Sequence, residues 1–328
     1  MIGTPKVSVV IPTYQRASFL RETVEHVLGQ TLKEIEVIVA DDGSTDRTPE
    51  VVASINDPRI LYLRRKHMGM PLILNEGFAV ARGKYIMTCH DHDIYDPTLL
   101  AELAGALDRH PIAVFAHCGV IVVDPSGKQE LERYVRDYPE VSSGKLFLAE
   151  TLLPGLDSPV SAITMVRTSA RGGVLLNPRF GEVADVELWL RLSTVGDVAY
   201  VKKPLIRVRK RDSSSHFYHI GCRLAAHTLK AKRRYLTWIE DESRQVAIQK
   251  DWRKGVDRTG FSELLRALEA RHYDEIAFIA EYVRKEGTYT GARALLLLCR
   301  MPPAIALGVL RLIKLLSRSI RFLAPLKP

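Results

Sequence analysis

Cysteine is sparse in this 328-residue chain: Cys89, Cys118, Cys222 and Cys299 stand far apart with no Cys-x-x-Cys pair. That spacing offers neither a zinc knuckle nor a disulfide framework, and it fits a reducing compartment. No long hydrophobic run follows the N-terminus, where Met1-Ile2-Gly3-Thr4-Pro5-Lys6 leads into a brief apolar stretch unlike a signal peptide or membrane anchor. A cytoplasmic protein is expected. Glycine is missing from Pro12 to Arg16, which excludes a glycine-rich phosphate loop after the first strand and with it a nucleotidyltransferase. Acidic residues are missing altogether from Gly287 to Pro328. Internal repeats and low-complexity tracts are absent too.

What is present is a globular composition, 46% hydrophobic and 26% charged, with room for a large core and an appended region. The net charge of +9 favours anionic partners. No nucleic-acid motif accompanies that charge, so nucleic acid is not expected among them.

From Val7 onward, short β-branched runs alternate with helical periodicity, the pattern of βαβ units around a parallel sheet. Strands are expected at Val7 to Ile11, Val37 to Ala40, Ile60 to Leu63 and Tyr85 to Thr88. Helices are expected from about Ser18 with an N-cap candidate, from Thr48 as N-cap with Pro49 at the first helical position, and from about Pro71 to Arg82, ended by Gly83 in the left-handed capping role. Asp96 and Pro97 open another. Asp124 to Gly127 reads as a hairpin turn after Val120 to Val123. Val183 to Leu192 reads as an amphipathic helix, with Trp189 on its core stripe, and Val198 to Val201 and Leu205 to Val208 as further strands. Nearly everything beyond Phe217 reads as helix.

Ligands of an open parallel sheet bind beyond the carboxyl ends of its strands. The polar groups at those ends are Thr13-Tyr14-Gln15-Arg16, Asp41-Asp42-Gly43-Ser44 and His90-Asp91-His92-Asp93. Taken together with Val-Ser-Val-Val-Ile-Pro-Thr-Tyr, Val-Ile-Val-Ala-Asp-Asp-Gly-Ser-Thr-Asp and the later Ile-Tyr-Asp-Pro, they make the chain resemble family 2 glycosyltransferases over its first two-thirds.

That resemblance implies a GT-A fold, a Rossmann-like and mostly parallel sheet flanked by helices, with a helical C-terminal extension. It puts the catalytic domain at about 1–216, the donor half near 1–110 and the acceptor half near 111–216, and leaves 217–328 as a helical region. It implies inverting transfer of sugar from a nucleoside-diphosphate sugar, a UDP-sugar foremost, to a hydroxyl of a glycan or lipid-linked acceptor. The Gln-x-x-Arg-Trp motif of processive synthases is absent, so transfer of one sugar at a time is expected.

Residue by residue, the resemblance brings Pro12, Thr13 and Tyr14 beside the base, with Asp41 or Asp42 accepting from a base N–H or ribose hydroxyl and Arg16 near phosphate. Asn75 matches a further family position, with donor contact and helix packing both open. Asp91-His92-Asp93 has the spelling of the Asp-x-Asp motif, whose carboxylates hold Mn²⁺ or Mg²⁺ against the diphosphate. Asp91 and Asp93 are therefore the expected ligands, with Asp91 and His92 also near the donor and His216 completing the shell. Aligned without gaps, however, the usual acidic positions fall on His90 and His92, which stay as additional or alternative ligands; imidazole would suit Mn²⁺ better than Mg²⁺. Asp185, in Ala184-Asp185-Val186-Glu187-Leu188-Trp189, is the candidate general base, with Glu182 and Glu187 as fallbacks. Arg207, Arg209, Lys210 and Arg211 resemble the start of a loop closing over diphosphate.

At the far end, Arg311, Lys314, Arg318 and Arg321 recur at helical spacing within an apolar, basic segment at about 292–326. An anionic membrane surface is the expected partner there, at the inner face of the cell membrane, while packing on the protein or on another subunit of a homo-oligomer is the competing expectation. The rival to catalysis is an inactive nucleotide-sugar-binding protein on the same fold.

Overall fold

The structure, a computed structural model, describes residues 3–155, 164–170, 173, 175–210, 221–273 and 275–312. Its contacts divide the chain into two compact units: Met1–Leu153, Asp157–Ser213 and Ala231–Trp238 form the first, and Pro154–Leu156, Ser214–Lys230 and Ile239–Pro328 the second.

The first unit is built on strands β1 (Val7–Thr13), β2 (Ile35–Asp41), β3 (Ile60–Arg64) and β4 (Tyr85–Thr88), then β5 (Ile94–Tyr95), β6 (Ala113–Val123), β7 (Glu130–Tyr134), β8 (Val141–Ser142), β9 (Met165–Arg167) and β10 (Asp197–Arg209). They form one sheet in the order β3-β2-β1-β4-β9-β6-β10-β5, with β7 beside β6 and β8 beside β10. β1 pairs in parallel with β2 and β4, and β2 with β3; β6 and β10 are also mutually parallel. Antiparallel β9 lies between β4 and β6, so the major strands all point one way. Their carboxyl ends make one edge.

β1 and β2 are central because every residue of both is buried, as continuous apolar runs covered on two faces require. On one face, α1 (Ala17–Leu28) and α4 (Leu99–Arg109) bury Leu20, Val24, Val27, Leu100, Leu103 and Leu107 against Val9, Ile11, Val37 and Met87. Each such side chain contributes roughly 1.5–3 kcal/mol relative to exposure. The other helices of this part are α2 (Thr48–Ala53) and α3 (Met70–Val80). α3 comes close to the sheet at Gly77, where a Cβ would stand 2.5 Å from Val10 Cγ1.

Several local expectations change on folding. Ser18 is not the cap of α1; Arg16 holds that position without a side-chain bond, and Asp46 Oδ2 accepts from the Ala17 N–H at 3.1 Å instead. The same carboxylate, through Oδ1, accepts from the Thr48 N–H at 3.1 Å, so one aspartate serves two helix starts. Gly83 is not left-handed. It is required by crowding, since a Cβ there would lie 2.6 Å from Ser8 N and 2.8 Å from Tyr85 O. The two strands expected around Leu205 are one, β10, whose register shifts at Pro204, where the ladder lacks a donor. The hairpin turn at Asp124 to Gly127 forms between β6 and β7, with Asp124 Oδ1 accepting from Lys128 and Gln129.

After α5 (Gly144–Phe147), the helix α6 (Ala184–Ser193) is buried on nearly every face rather than amphipathic. Trp189 is core, its ring 5.3 Å from that of Phe115.

α7 (Gly221–Tyr235) runs from the second unit into the first by sequence. Within the second unit, α8 (Glu242–Ala270) buries Ile248, Trp252, Val256, Gly260, Leu264 and Leu268 at four-residue steps, against α9 (Glu275–Glu286) and α10 (Tyr289–Cys299). α10 buries Ala292, Leu295 and Leu298, and the helical stretch 303–312 buries Ala306 and Leu310. Arg311 meets Glu269 of α8 at 3.3 Å. The described part of the basic segment thus turns its apolar stripe inward, while Leu297, Ile305 and Leu312 remain exposed. No helix of the described residues is long and apolar enough to cross a membrane.

Candidate active site

Three loops meet at the carboxyl edge of β2, β1 and β4, adjacent strands spaced by roughly 5 Å each. After β1, Pro12 and Thr13 are buried, and the Thr13 hydroxyl has no hydrogen-bond partner among the described residues. Tyr14 is exposed, its ring stacked on His67 at 4.4 Å between centroids. Gln15 then adopts φ 55°, a left-handed conformation that costs a non-glycine residue free energy. Loop contacts hold it there: its N–H donates to Ser44 Oγ at 3.0 Å, and its side-chain oxygen accepts from Thr45 and Asp46 at 3.2 and 3.0 Å. Sequence reading singled out neither Gln15 nor His67.

The two aspartates after β2 part company. Asp41 is fully buried, with Oδ1 accepting from Ser44 N–H at 2.8 Å and Oδ2 from the Tyr62 hydroxyl at 2.5 Å. Burial and that carboxylate push the Tyr62 phenol upward in pKa. Asp42 binds the next loop, accepting from Met68 N–H at 2.7 Å and Gly69 N–H at 3.0 Å, with His67 Nδ1 2.9 Å from Oδ2. Asp42 therefore fixes the ring that stacks on Tyr14, whereas Asp41 ties its own turn to β3. Arg16 is half-buried, and its guanidinium makes no hydrogen bond or ion pair with the described residues.

Beyond β4, the turn carries three potential ligands together. His90, His92 and Asp93 each offer a ligand atom, all within 4.8 Å of one another. The two imidazole planes lie 3° from parallel, with centroids 5.8 Å apart. Asp93 is fully buried; His90 Nδ1 stands 3.4 Å from its Oδ2 and His92 Nε2 3.7 Å from its Oδ1. Burial by itself would raise the Asp93 pKa, but the hydrogen bond from His90, the charges of both histidines and the Arg209 N–H outweigh it and lower the value. Asp91 is outside this triad, paired to its neighbour His92 at 3.2 Å. The candidate triad thus takes in both histidines of the gap-free register together with Asp93.

A brace holds this turn. Arg209, at the end of β10, donates its N–H to Asp93 Oδ1 at 3.0 Å and Nη1 to the His92 carbonyl at 2.8 Å. Its Nη2 reaches both oxygens of Glu22 on α1, at 2.8 and 2.9 Å, in a paired carboxylate contact. The Tyr95 hydroxyl donates to the His90 carbonyl at 2.8 Å. Arg209, expected to begin a loop over diphosphate, is instead 8% exposed and turned onto the ligand turn. Nothing about an arginine among three other cations in sequence marks it for that task.

The donor set fits a divalent ion. It combines a carboxylate held below its ordinary pKa, whose buried Oδ2 stands 3.4 Å from His90 Nδ1, with two imidazoles. Ligands about 2.1 Å from one ion sit roughly 3–3.5 Å apart, so closing this set needs side-chain rotation and no movement of the sheet.

Asp185 lies in the first turn of α6 and is partly exposed. Desolvation raises its pKa; the N–H of Val186, 2.8 Å from Oδ1, and the charge of His90 only partly oppose that. His90 thus links Asp185 electrostatically to the β4 turn. Of the fallback bases, Glu187 is buried and accepts from the Tyr235 hydroxyl at 2.7 Å, and Glu182 is exposed. Asn75 uses both ends of its amide on Leu176, donating to its carbonyl at 2.8 Å and accepting from its N–H at 2.7 Å, which ties α3 to that loop. His216 and Arg211 lie outside the described residues.

Residues 8–160 match the family model described as glycosyl transferase family 2. Among curated relatives, an uncharacterized glycosyltransferase of Rickettsia typhi is 29% identical over 217 residues, 65% of this chain and 66% of that one. The chain therefore matches just under two-thirds of that relative's length. Among solved structures, S. aureus TarS 1–349 in complex with UDP-GlcNAc superposes with TM-score 0.54 at 18% identity, covering 87% of this chain and 93% of that one. The mannosyltransferase PcManGT from Pyrobaculum calidifontis, in complex with GDP-Man and Mn²⁺, gives TM-score 0.54 at 15% identity, covering 94% and 84%. At those identities the superpositions speak for the fold alone. Sequence motifs, sheet topology and the family match converge: residues 8–160 are those of a glycosyl transferase family 2 domain, and the fold is of the GT-A type.

Proposed function

We propose that this glycosyltransferase moves a single sugar from a nucleoside-diphosphate sugar, a UDP-sugar foremost, to a hydroxyl of a glycan or lipid-linked acceptor, with inversion. The catalytic part is residues 1–216, and 217–328 form the helical region. The observation that carries the reading is the gathering of His90, His92 and Asp93 at the carboxyl edge of the sheet, beside the loops after β1 and β2.

In this scheme the nucleobase meets the Tyr14 and His67 rings, with Pro12 and Thr13 beside it and Asp42 fixing His67. Arg16 approaches the phosphates. Asp185 takes the proton of the acceptor hydroxyl as that oxygen forms its bond to the anomeric carbon. The bond from that carbon to the diphosphate oxygen breaks on the opposite face, and the electron pair leaves with the nucleoside diphosphate. A divalent ion, Mn²⁺ or Mg²⁺, held by His90, His92 and Asp93 would neutralise the charge gathering on that leaving group. Asp91 supports the turn through His92.

Thermal-shift titration with a panel of nucleoside diphosphates, then turnover of the matching sugar donors with each ion, tests the reading. Stabilisation by a diphosphate followed by transfer, and loss of transfer in Asp185→Asn with donor binding retained, is the expected result. Absence of stabilisation by any nucleotide would sink it. The histidines at usually acidic positions favour a second reading, an inactive nucleotide-sugar-binding protein, which predicts stabilisation without donor hydrolysis or transfer. Association with anionic lipid through Lys314, Arg318 and Arg321, which lie outside the described residues, belongs to the proposal as well; neutralising all three should abolish sedimentation with acidic liposomes.

A further inference from the structure

We infer that the turn after β4 is a transition-metal site whose ligands come from the protein alone, able to bind its ion before any nucleotide arrives and selective against Mg²⁺. The inference deepens the proposed function and rests on its placing of the ion at this strand edge. Three protein ligands come from a four-residue stretch, His90, His92 and Asp93, so little chain must be ordered to gather them. An ion held chiefly through a donor's phosphates has no such set to bind in the free protein. Here the protein alone supplies two nitrogens and an oxygen.

Chemistry sets the selectivity. Mg²⁺ demands near-ideal octahedral oxygen coordination and gives up water reluctantly. Imidazole suits first-row ions such as Zn²⁺, and affinity for a nitrogen-bearing site rises along the Irving–Williams order from Mn²⁺ to Co²⁺. Two imidazoles and one carboxylate are therefore a poor Mg²⁺ site and a good site for those ions.

The surroundings keep the set in place. The Asp93 carboxylate is oriented by the Arg209 N–H, the His92 carbonyl by the Arg209 guanidinium, and the His90 carbonyl by the Tyr95 hydroxyl. Glu22 neutralises Arg209 through both oxygens, so the brace adds little net positive charge against an incoming cation. Partners of this kind orient metal ligands, and their loss weakens binding by roughly 10–100-fold.

The experiment uses the full chain, stripped of metal, with no nucleotide present. Co²⁺ is titrated by its visible absorption, which reports nitrogen ligation, and Mn²⁺ by the loss of its free-ion resonance signal; Mg²⁺ is then added as competitor. Saturable binding of one Co²⁺ per chain is expected, with displacement requiring at least about a hundredfold excess of Mg²⁺. In His92→Asp that preference should fall by roughly tenfold or more, as nitrogen gives way to oxygen. His90→Gln serves as the second variant, expected to weaken Co²⁺ binding while melting like the metal-free parent. Equal competition by Mg²⁺, Co²⁺ binding only when nucleotide is added, or unchanged Co²⁺ spectra in both variants would each overturn the inference. Strong nucleotide-free Co²⁺ binding without sugar transfer under any ion would leave this inference standing and remove the catalytic reading.

Discussion

An aspartate in the first turn of a helix ordinarily titrates low, because the aligned peptide dipoles favour its charge. Asp185 titrates high, because desolvation exceeds that help. The consequence is kinetic. As a base, Asp185 acts only when ionised, so transfer should fall as pH drops through a value above the usual aspartate range, and a profile of kcat/KM against pH reads it directly. A limb at or below the ordinary value would remove Asp185 from the role. Asp185→Asn should cost roughly 10²–10⁴-fold in kcat, the usual worth of a positioned base. The neighbouring aspartates 41 and 42 should separate in the same spirit. Asp42→Asn should weaken nucleotide binding in a thermal-shift titration, since it loosens His67 against Tyr14. Asp41→Asn should lower stability instead, because Asp41 joins Ser44 to Tyr62 inside the protein.

At the scale of elements, close approach and long-range bonds set the tolerance of the fold. Gly83→Ala drives a Cβ into the backbone of Ser8 and Tyr85 and should cost about 1–3 kcal/mol in urea unfolding, with little change in nucleotide affinity of the folded fraction. Asn75→Ala strips both amide bonds from Leu176 and should cost about 1–3 kcal/mol, as buried backbone groups lose their partners. Neither effect is written in local pattern. Gly83 follows a helix and looks like a cap, and Asn75 sits in a motif and looks like a donor ligand. Only the strand beneath one and the loop beside the other show their work. Arg209 teaches the same lesson from the other side, since a run of cations reads as a phosphate clamp until β10 turns one of them inward.

For the molecule as a whole, acid is the condition to watch. His117 lies within β6, fully buried among Phe147, Tyr138 and Tyr200, with neither ring nitrogen hydrogen-bonded among the described residues, and burial pushes its pKa down to about 3. An unfolded histidine titrates near 6.5, so between those values the unfolded chain binds the extra proton. Stability present above that unfolded value is therefore lost as pH falls toward 3, by up to about 1.4 kcal/mol per pH unit from this side chain. Urea midpoints followed by the fluorescence of buried Trp189 should decline over that window, and His117→Phe should flatten the decline; an equal slope in both would discard the explanation. The parallel core and the ligand-bearing edge were legible in the primary structure, because apolar runs of strand length and the polar residues that end them are neighbours along the chain. Which carboxylate ties its turn to β3, how both histidines gather beside Asp93 and which arginine braces that turn were decided only on folding. Those roles depend on partners 20 to more than 100 residues away, such as Tyr62 for Asp41 and Arg209 for Asp93, and no local periodicity encodes a distance in space.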